Sequence, residues 1–170
     1  KEGWNQVVPE SINCEGFEAV TKEFPVLADS KIRIGVGFIF SPFRTEPNSV
    51  VSSLKNFLNA AQQTNTPIVV YFEFEHWLDE RPDLWNWWDA SLPGFNPANR
   101  ENVEWSGWSP DDALKIAWRN WGRQLRVRPP PNLMSPRYRK ACQEKMALVI
   151  HVVVNWWHYL HYEKKESFVG

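Results

Sequence analysis

The sequence is short of several things, and each shortage removes a class of protein. It has two cysteines in 170 residues, so Cys14 and Cys142 can make one disulfide or stay as two thiols, and the count does not decide between them. Its longest strongly apolar run, Met146 to Val154, is far below the ~20 residues that span a bilayer, so no membrane segment is expected. Lys and Arg number 19 against 20 Asp and Glu. This balance lacks the basic excess that accompanies nucleic-acid binding, and no acidic tail or long charge run is present. No Gly-x-Ser-x-Gly elbow and no Gly-rich phosphate loop occur. Gly35-Val36-Gly37 lies inside a strand pattern and is no dinucleotide fingerprint, so no cofactor is expected. His76, His151, His158 and His161 lack the Glu-x-x-His or paired spacing of a metal centre, so no metal is expected either. The chain begins at Lys1 with no basic n-region and apolar h-region, and it holds no Asn-x-Ser/Thr acceptor. A removed leader is one explanation of the first residue, and a secreted location is the expectation.

What the chain has in abundance is tryptophan. Eight of its eleven tryptophans lie between Trp77 and Trp121. The same stretch carries Asp79, Glu80, Asp83, Asp89, Glu104, Asp111 and Asp112. An indole offers a flat π face and one donor, and a carboxylate offers paired acceptors. Rings to stack on, with acids to hold hydroxyls, suit a sugar.

The pattern along the chain is β, α, β, a long insertion, α, β. Residues 1–30 read as an irregular lead-in with helical character near Glu15 to Glu23. From Ile32 to Phe40 the residues alternate, with Ile32, Ile34, Val36, Phe38 and Phe40 on one face, which predicts a strand. A helix is expected over Ser49–Gln63, with Val50, Leu54, Phe57, Leu58 and Ala61 in its stripe and Asn48 or Ser49 as cap. Asn65-Thr66-Pro67 breaks it, and a second strand follows, Ile68–Glu75. Strand, amphipathic helix, strand is the signature of a parallel sheet.

The insertion covers residues 76–135. Within it a short helix at Pro82–Trp88, a turn cluster at Leu92–Pro97 and a helix from Ser109 to Trp121 are expected, then a short strand at Gln124–Val127. Pro129-Pro130-Pro131 is a stiff connector. The longest helix should run from Ser135-Pro136 to about Tyr162, with Tyr138, Cys142, Met146, Val149, Val153, Trp156 and Leu160 on its buried line. The β-branched stretch Val149 to Val154 leaves a strand open there. Ser167–Gly170 reads as the start of a third strand.

Strand parity directs attention to two acids. Ile68, Val70, Phe72 and Phe74 share one face, and Val69, Tyr71, Glu73 and Glu75 share the other. The apolar face should pack under helices. Glu73 and Glu75 then line the opposite side at the carboxyl end of the strand, about 7 Å apart, and are the candidate catalytic carboxylates. The plainer alternative pairs Glu73 with Arg33 from the neighbouring strand. Candidate saccharide-binding residues are His76, Trp77, Trp88, Asp89, Glu104, Trp105, Trp108, Arg119 and Arg123. Three indoles in four positions, Trp85, Trp87 and Trp88, cannot all face one way on a helix, so one should be exposed. Clamping of loops by that cluster, and neutralisation of Glu101, Glu104 or Asp89 by Arg119 and Arg123, are the structural alternatives.

On Ile34-Gly35-Val36-Gly37-Phe38, on Ile68 to Glu75, and on Trp118-Arg119-Asn120-Trp121-Gly122 leading into Pro129-Pro130-Pro131-Asn132, residues 31–170 resemble the amino-terminal part of a glycoside-hydrolase-type TIM barrel of a poorly characterised, glycosidase-like kind. In such barrels the catalytic carboxylates sit on the fourth and seventh strands. The resemblance therefore implies a partial (β/α) barrel with a sugar-binding half-site. Downstream sequence or a second chain would complete it. A small three-layer α/β domain is the other architecture the pattern allows. A lectin-like glycan binder, and a subunit that packs its aromatic cluster on a partner, are the other functions.

Overall fold

A computed structural model describes residues 12–24, 33–74, 80–105 and 130–170. The chain divides into two compact units, one of residues 1–73 with 146–170 and one of residues 74–145.

In the first unit, α1 (Cys14–Glu23) starts at Asn13, whose side chain accepts from the Gly16 N–H at 2.8 Å. Strand β1 (Val36–Phe40) leads through a turn to α2 (Pro47–Thr64), and β2 (Ile68–Phe72) follows. Helix α2 begins earlier than its sequence suggests. Pro47 takes the first helical position, and Glu46 precedes it without a side-chain cap. A proline there has no N–H to leave unsatisfied and already holds a helical φ, so neither Asn48 nor Ser49 is the cap. At its other end Asn65 adopts a left-handed conformation, φ 52°, which asparagine tolerates better than most residues.

The two strands pair in parallel, Val36 opposite Ile68 through Phe40 opposite Phe72. Gly35 permits this approach at the start of the ladder, because a Cβ there would collide with the Pro67 carbonyl oxygen. Beyond Phe72 the pairing persists for one more bond, from the Glu73 N–H to the Phe40 carbonyl. The segment Phe168–Gly170 lies along the other side of β2, with a parallel bridge from Phe168 to Ile68. The Val169 N–H donates to Ile68, and the Val70 N–H to Gly170. The expected third strand is represented here by an isolated bridge and two backbone bonds beside β2, and among the described residues the sheet itself has two strands.

The core of this unit gathers on one face of the sheet. Phe40, Ile68, Leu54, Phe57, Leu58, Val149 and Val153 are buried together, and Val36, Phe38, Val70 and Phe72 pack against them. Phe57 is fully buried and stands at ring contact with Phe17, Phe38 and Phe40, at 5.3 to 5.8 Å. Val149 and Val153 come from the longest helix, Pro136–Tyr159, so the strand alternative for that stretch does not hold. The helix stops short of Tyr162, and a 3-10 helix, Tyr162–Ser167, follows. Helix α2 and the carboxyl-terminal half of this long helix thus serve the same face. On the other face Ile39 is 59% exposed and Tyr71 54%.

The second unit has α3 (Pro82–Trp85), a 3-10 helix (Pro97–Asn102) and the first part of the long helix, numbered α4 (Pro136–Tyr159). Helix α3 has Pro82 at its first position, as expected, but ends at Trp85 and not Trp88. Gly94 turns the chain at φ +74°, hard against the backbone of Pro82 and Asp83, where a side chain would clash. Ser135 opens α4 as expected, its Oγ accepting from the Tyr138 N–H at 3.2 Å.

Three buried asparagines tie the loops of this unit together. Asn86 is fully buried and its amide donates to the carbonyls of Asp89, Leu92 and Pro93. Asn99 donates to Asn86 and Gly94 and accepts from Arg137. Asn102 donates to Leu84 at 2.7 Å and accepts from Ser135 Oγ at 2.6 Å. Each amide replaces hydrogen bonds that a short irregular loop cannot make to itself.

Candidate functional site

The parallel register places residues 32 positions apart opposite one another, since Val36 faces Ile68. Continued past the carboxyl end of the ladder, it sets Ser41 opposite Glu73. The Ser41 hydroxyl donates to Glu73 Oε2 at 3.4 Å. Parity puts both on the face of Ile39 and Tyr71, which carries no helix among the described residues. Glu73 is half-buried. Continued the other way, the register sets Arg33 opposite Asn65, and the Arg33 guanidinium donates to the Asn65 carbonyl at 2.7 Å. The expected alternative pair of Arg33 with Glu73 is thereby corrected. The two belong to opposite ends of the ladder, on the order of 25 Å apart along extended chain.

Glu75, His76, Trp77, Trp108, Arg119 and Arg123 lie outside the described residues, as do the expected helix at Ser109–Trp121 and the expected strand at Gln124–Val127. The remaining candidates fall in the second unit. Trp88 is 43% exposed. Helical spacing predicts one exposed indole, but the helix ends at Trp85, so the exposure comes from the loop that follows. Its ring meets Trp87 edge-on at 4.5 Å and Trp85 at 5.2 Å. Trp87 in turn meets Trp105 at 5.6 Å. Trp85, Trp88, Trp87 and Trp105 thus form one continuous run of indoles, buried at the Trp85 end. Glu104 is exposed, and its backbone N–H donates to Pro130. Asp89 serves the loop. Its Oδ1 accepts from the backbone N–H and the hydroxyl of Ser91, and its backbone N–H donates to Asn86 Oδ1.

Sequence reasoning missed a groove beside the indoles. It is open, about 340 Å³ in volume, and lined by Trp87, Pro97, Ala98, Arg100 and Glu101. The Trp105 indole N–H donates to the Arg100 carbonyl at 2.8 Å, which ties the ring run to the 3-10 helix. In sequence Glu101 stands out only as a partner for Arg119 or Arg123 and Arg100 not at all, and the helical turn beneath them brings both to one groove.

The ionic arrangement nearby is local. Arg81 grips Asp83 with two hydrogen bonds, at 2.9 and 2.8 Å. The guanidinium bond holds the Asp83 carboxyl below the usual carboxylate range, and the same bond raises Arg81. Burial pushes the Cys142 thiol up. Burial also pushes up the Tyr138 phenol, which hydrogen-bonds Cys142. Both cysteines are free thiols, and Cys14 Sγ donates to Gln63 Oε1 at 2.9 Å. Among the described residues no group of three or more His, Cys, Asp or Glu could hold a metal ion. No described helix is long and apolar enough to cross a membrane.

Comparison with known proteins finds no family model that matches the chain, and no curated protein or solved structure significantly similar to it.

Proposed function

We propose that this is a carbohydrate-active protein, the saccharide-binding part of a glycoside hydrolase built on a parallel (β/α) barrel. One observation carries the reading. Glu73 and Ser41 stand together at the carboxyl end of neighbouring parallel strands, on the sheet face that no described helix covers. Parallel sheets are buried on both faces. Right-handed crossovers that advance strand by strand in one direction put every helix on the same side. The shared cluster of α2 and α4 against one face has that character. Curling such a sheet into a barrel turns the bare face inward, and active sites form at the carboxyl ends of barrel strands. Glu73 then lines the saccharide site, as carboxylates do in glycoside hydrolysis. The remaining strands come from further sequence or a second chain.

Carbodiimide labelling of Glu73 tests the placement. Protection of Glu73 when saccharide is added supports it, and equal labelling with and without any saccharide tried overturns it.

A second reading, a glycan binder without chemistry, draws on the exposed Trp88 within the indole run. It predicts saccharide-dependent quenching of tryptophan fluorescence with no product formed.

A further inference from the structure

The groove beside Trp87 has the parts of a sugar subsite that does not involve Glu73. One wall is an indole braced by its neighbours, since Trp87 contacts both Trp88 and Trp105. Trp105 is itself fixed by its bond to the Arg100 carbonyl. Rings braced in this way lose little freedom when a ligand stacks on them, and loss of freedom is a main cost of binding.

The polar side is equally ready. Arg100 and Glu101 are exposed, and neither side chain has a hydrogen-bond or ion-pair partner among the described residues. Adjacent in sequence and both on the groove, they offer a fork of donors and a pair of acceptors. A cation and an anion side by side do not select a charged ligand, because either sign meets one attraction and one repulsion. Neighbouring hydroxyls suit them, as each hydroxyl both donates and accepts. A flat apolar face with a ring of hydroxyls at its edge describes a neutral pyranose, its C–H face on the indole and its edge toward the two side chains.

We infer that the groove of Trp87, Arg100 and Glu101 binds a neutral hexopyranose of an oligosaccharide, as a subsite additional to Glu73. The inference rests on the carbohydrate reading above and names a second place where sugar is held. It needs no chemistry at the groove.

The test is a titration of the full chain with cellohexaose and, separately, maltohexaose, followed by tryptophan fluorescence and by NMR of the indole N–H signals. Saturable binding of one of them is expected, with the Trp87 signal among those that shift. Glu101→Gln and Arg100→Ser change exposed side chains with no side-chain partner among the described residues, so the fold survives, and each should weaken binding by about tenfold. Trp87→Ala should weaken it more, and thermal melting shows whether that variant is folded. If neither oligosaccharide binds the wild type, the inference is overturned. It is overturned too if binding survives Glu101→Gln and Arg100→Ser undiminished, and loss of that binding in Glu73→Gln would then keep the Glu73 reading. Groove binding with no hydrolysis and no protection of Glu73 supports the inference and overturns the Glu73 reading.

Discussion

Ser41 donates to Glu73 across the carboxyl ends of two parallel strands, while 32-residue spacing also joins Arg33 to Asn65 at the other end. The register alone sorts these four residues into two pairs. Arg33 therefore acts on the turn before β2 and not on the carboxylate. Arg33→Ala should cost about 0.5–1.5 kcal/mol, the worth of one hydrogen bond. Urea unfolding measures it. Saccharide protection of Glu73 should be unaltered in the same variant, and a loss of that protection would reconnect the two residues.

The first unit depends on Phe57. Its ring is enclosed by Phe17, Phe38 and Phe40, so removing it leaves a cavity that three stiff rings cannot fill. Phe57→Ala should destabilise by about 3–5 kcal/mol. Ile39→Ser, on the bare face, should cost far less. Denaturant midpoints of the two variants make the comparison.

The second unit depends on its buried amides. Asn102→Ala would orphan the Leu84 carbonyl and take from Ser135 its acceptor, at about 1–3 kcal/mol for each group left unsatisfied. Hydrogen exchange should show faster opening at Leu84 and along the start of α4. Unaltered exchange there would mean that water replaces the amide without penalty.

The Arg81–Asp83 pair gives a pH dependence of known sign. The folded carboxyl lies below its unfolded value near 3.9. Its contribution to stability is therefore present above about pH 4 and is lost as pH falls through the folded value. The Asp83 side chain is half exposed, at 51%, and solvent screening holds such a pair to about 1 kcal/mol or less. Asp83→Asn should therefore lower the melting temperature slightly at pH 7. The gap to wild type should close in strong acid, and a gap that widened there would reverse the assignment.

Much of the first unit is legible in sequence because its periodicities are clean. Alternation from Val36 to Phe40 and from Ile68 to Phe72 gives the two faces, and the stripe Val50, Leu54, Phe57, Ala61 gives the helix between them. Parity also puts Glu73 on the face opposite the core. The partner of Glu73 is less legible, since Arg33 and Ser41 flank the neighbouring strand at its two ends and only the register chooses. In the second unit the decisive residues are Asn86, Asn99 and Asn102. Their spacing matches no helix or strand period, because they satisfy loop backbone and not a regular ladder. The groove was hidden for a similar reason. Arg100 and Glu101 are ordinary surface charges until a 3-10 turn sets them beside Trp87.

The most direct test of the account is the rate at which the native material cleaves glycosidic bonds, compared with Glu73→Gln. Proton transfer by a positioned carboxylate contributes about 10²–10⁴-fold, and that is the role proposed for Glu73. The account predicts turnover in the wild type and a loss of that order in the variant, with saccharide binding retained. Equal turnover in the two proteins, or saccharide bound with no bond cleaved by the wild type, would contradict it.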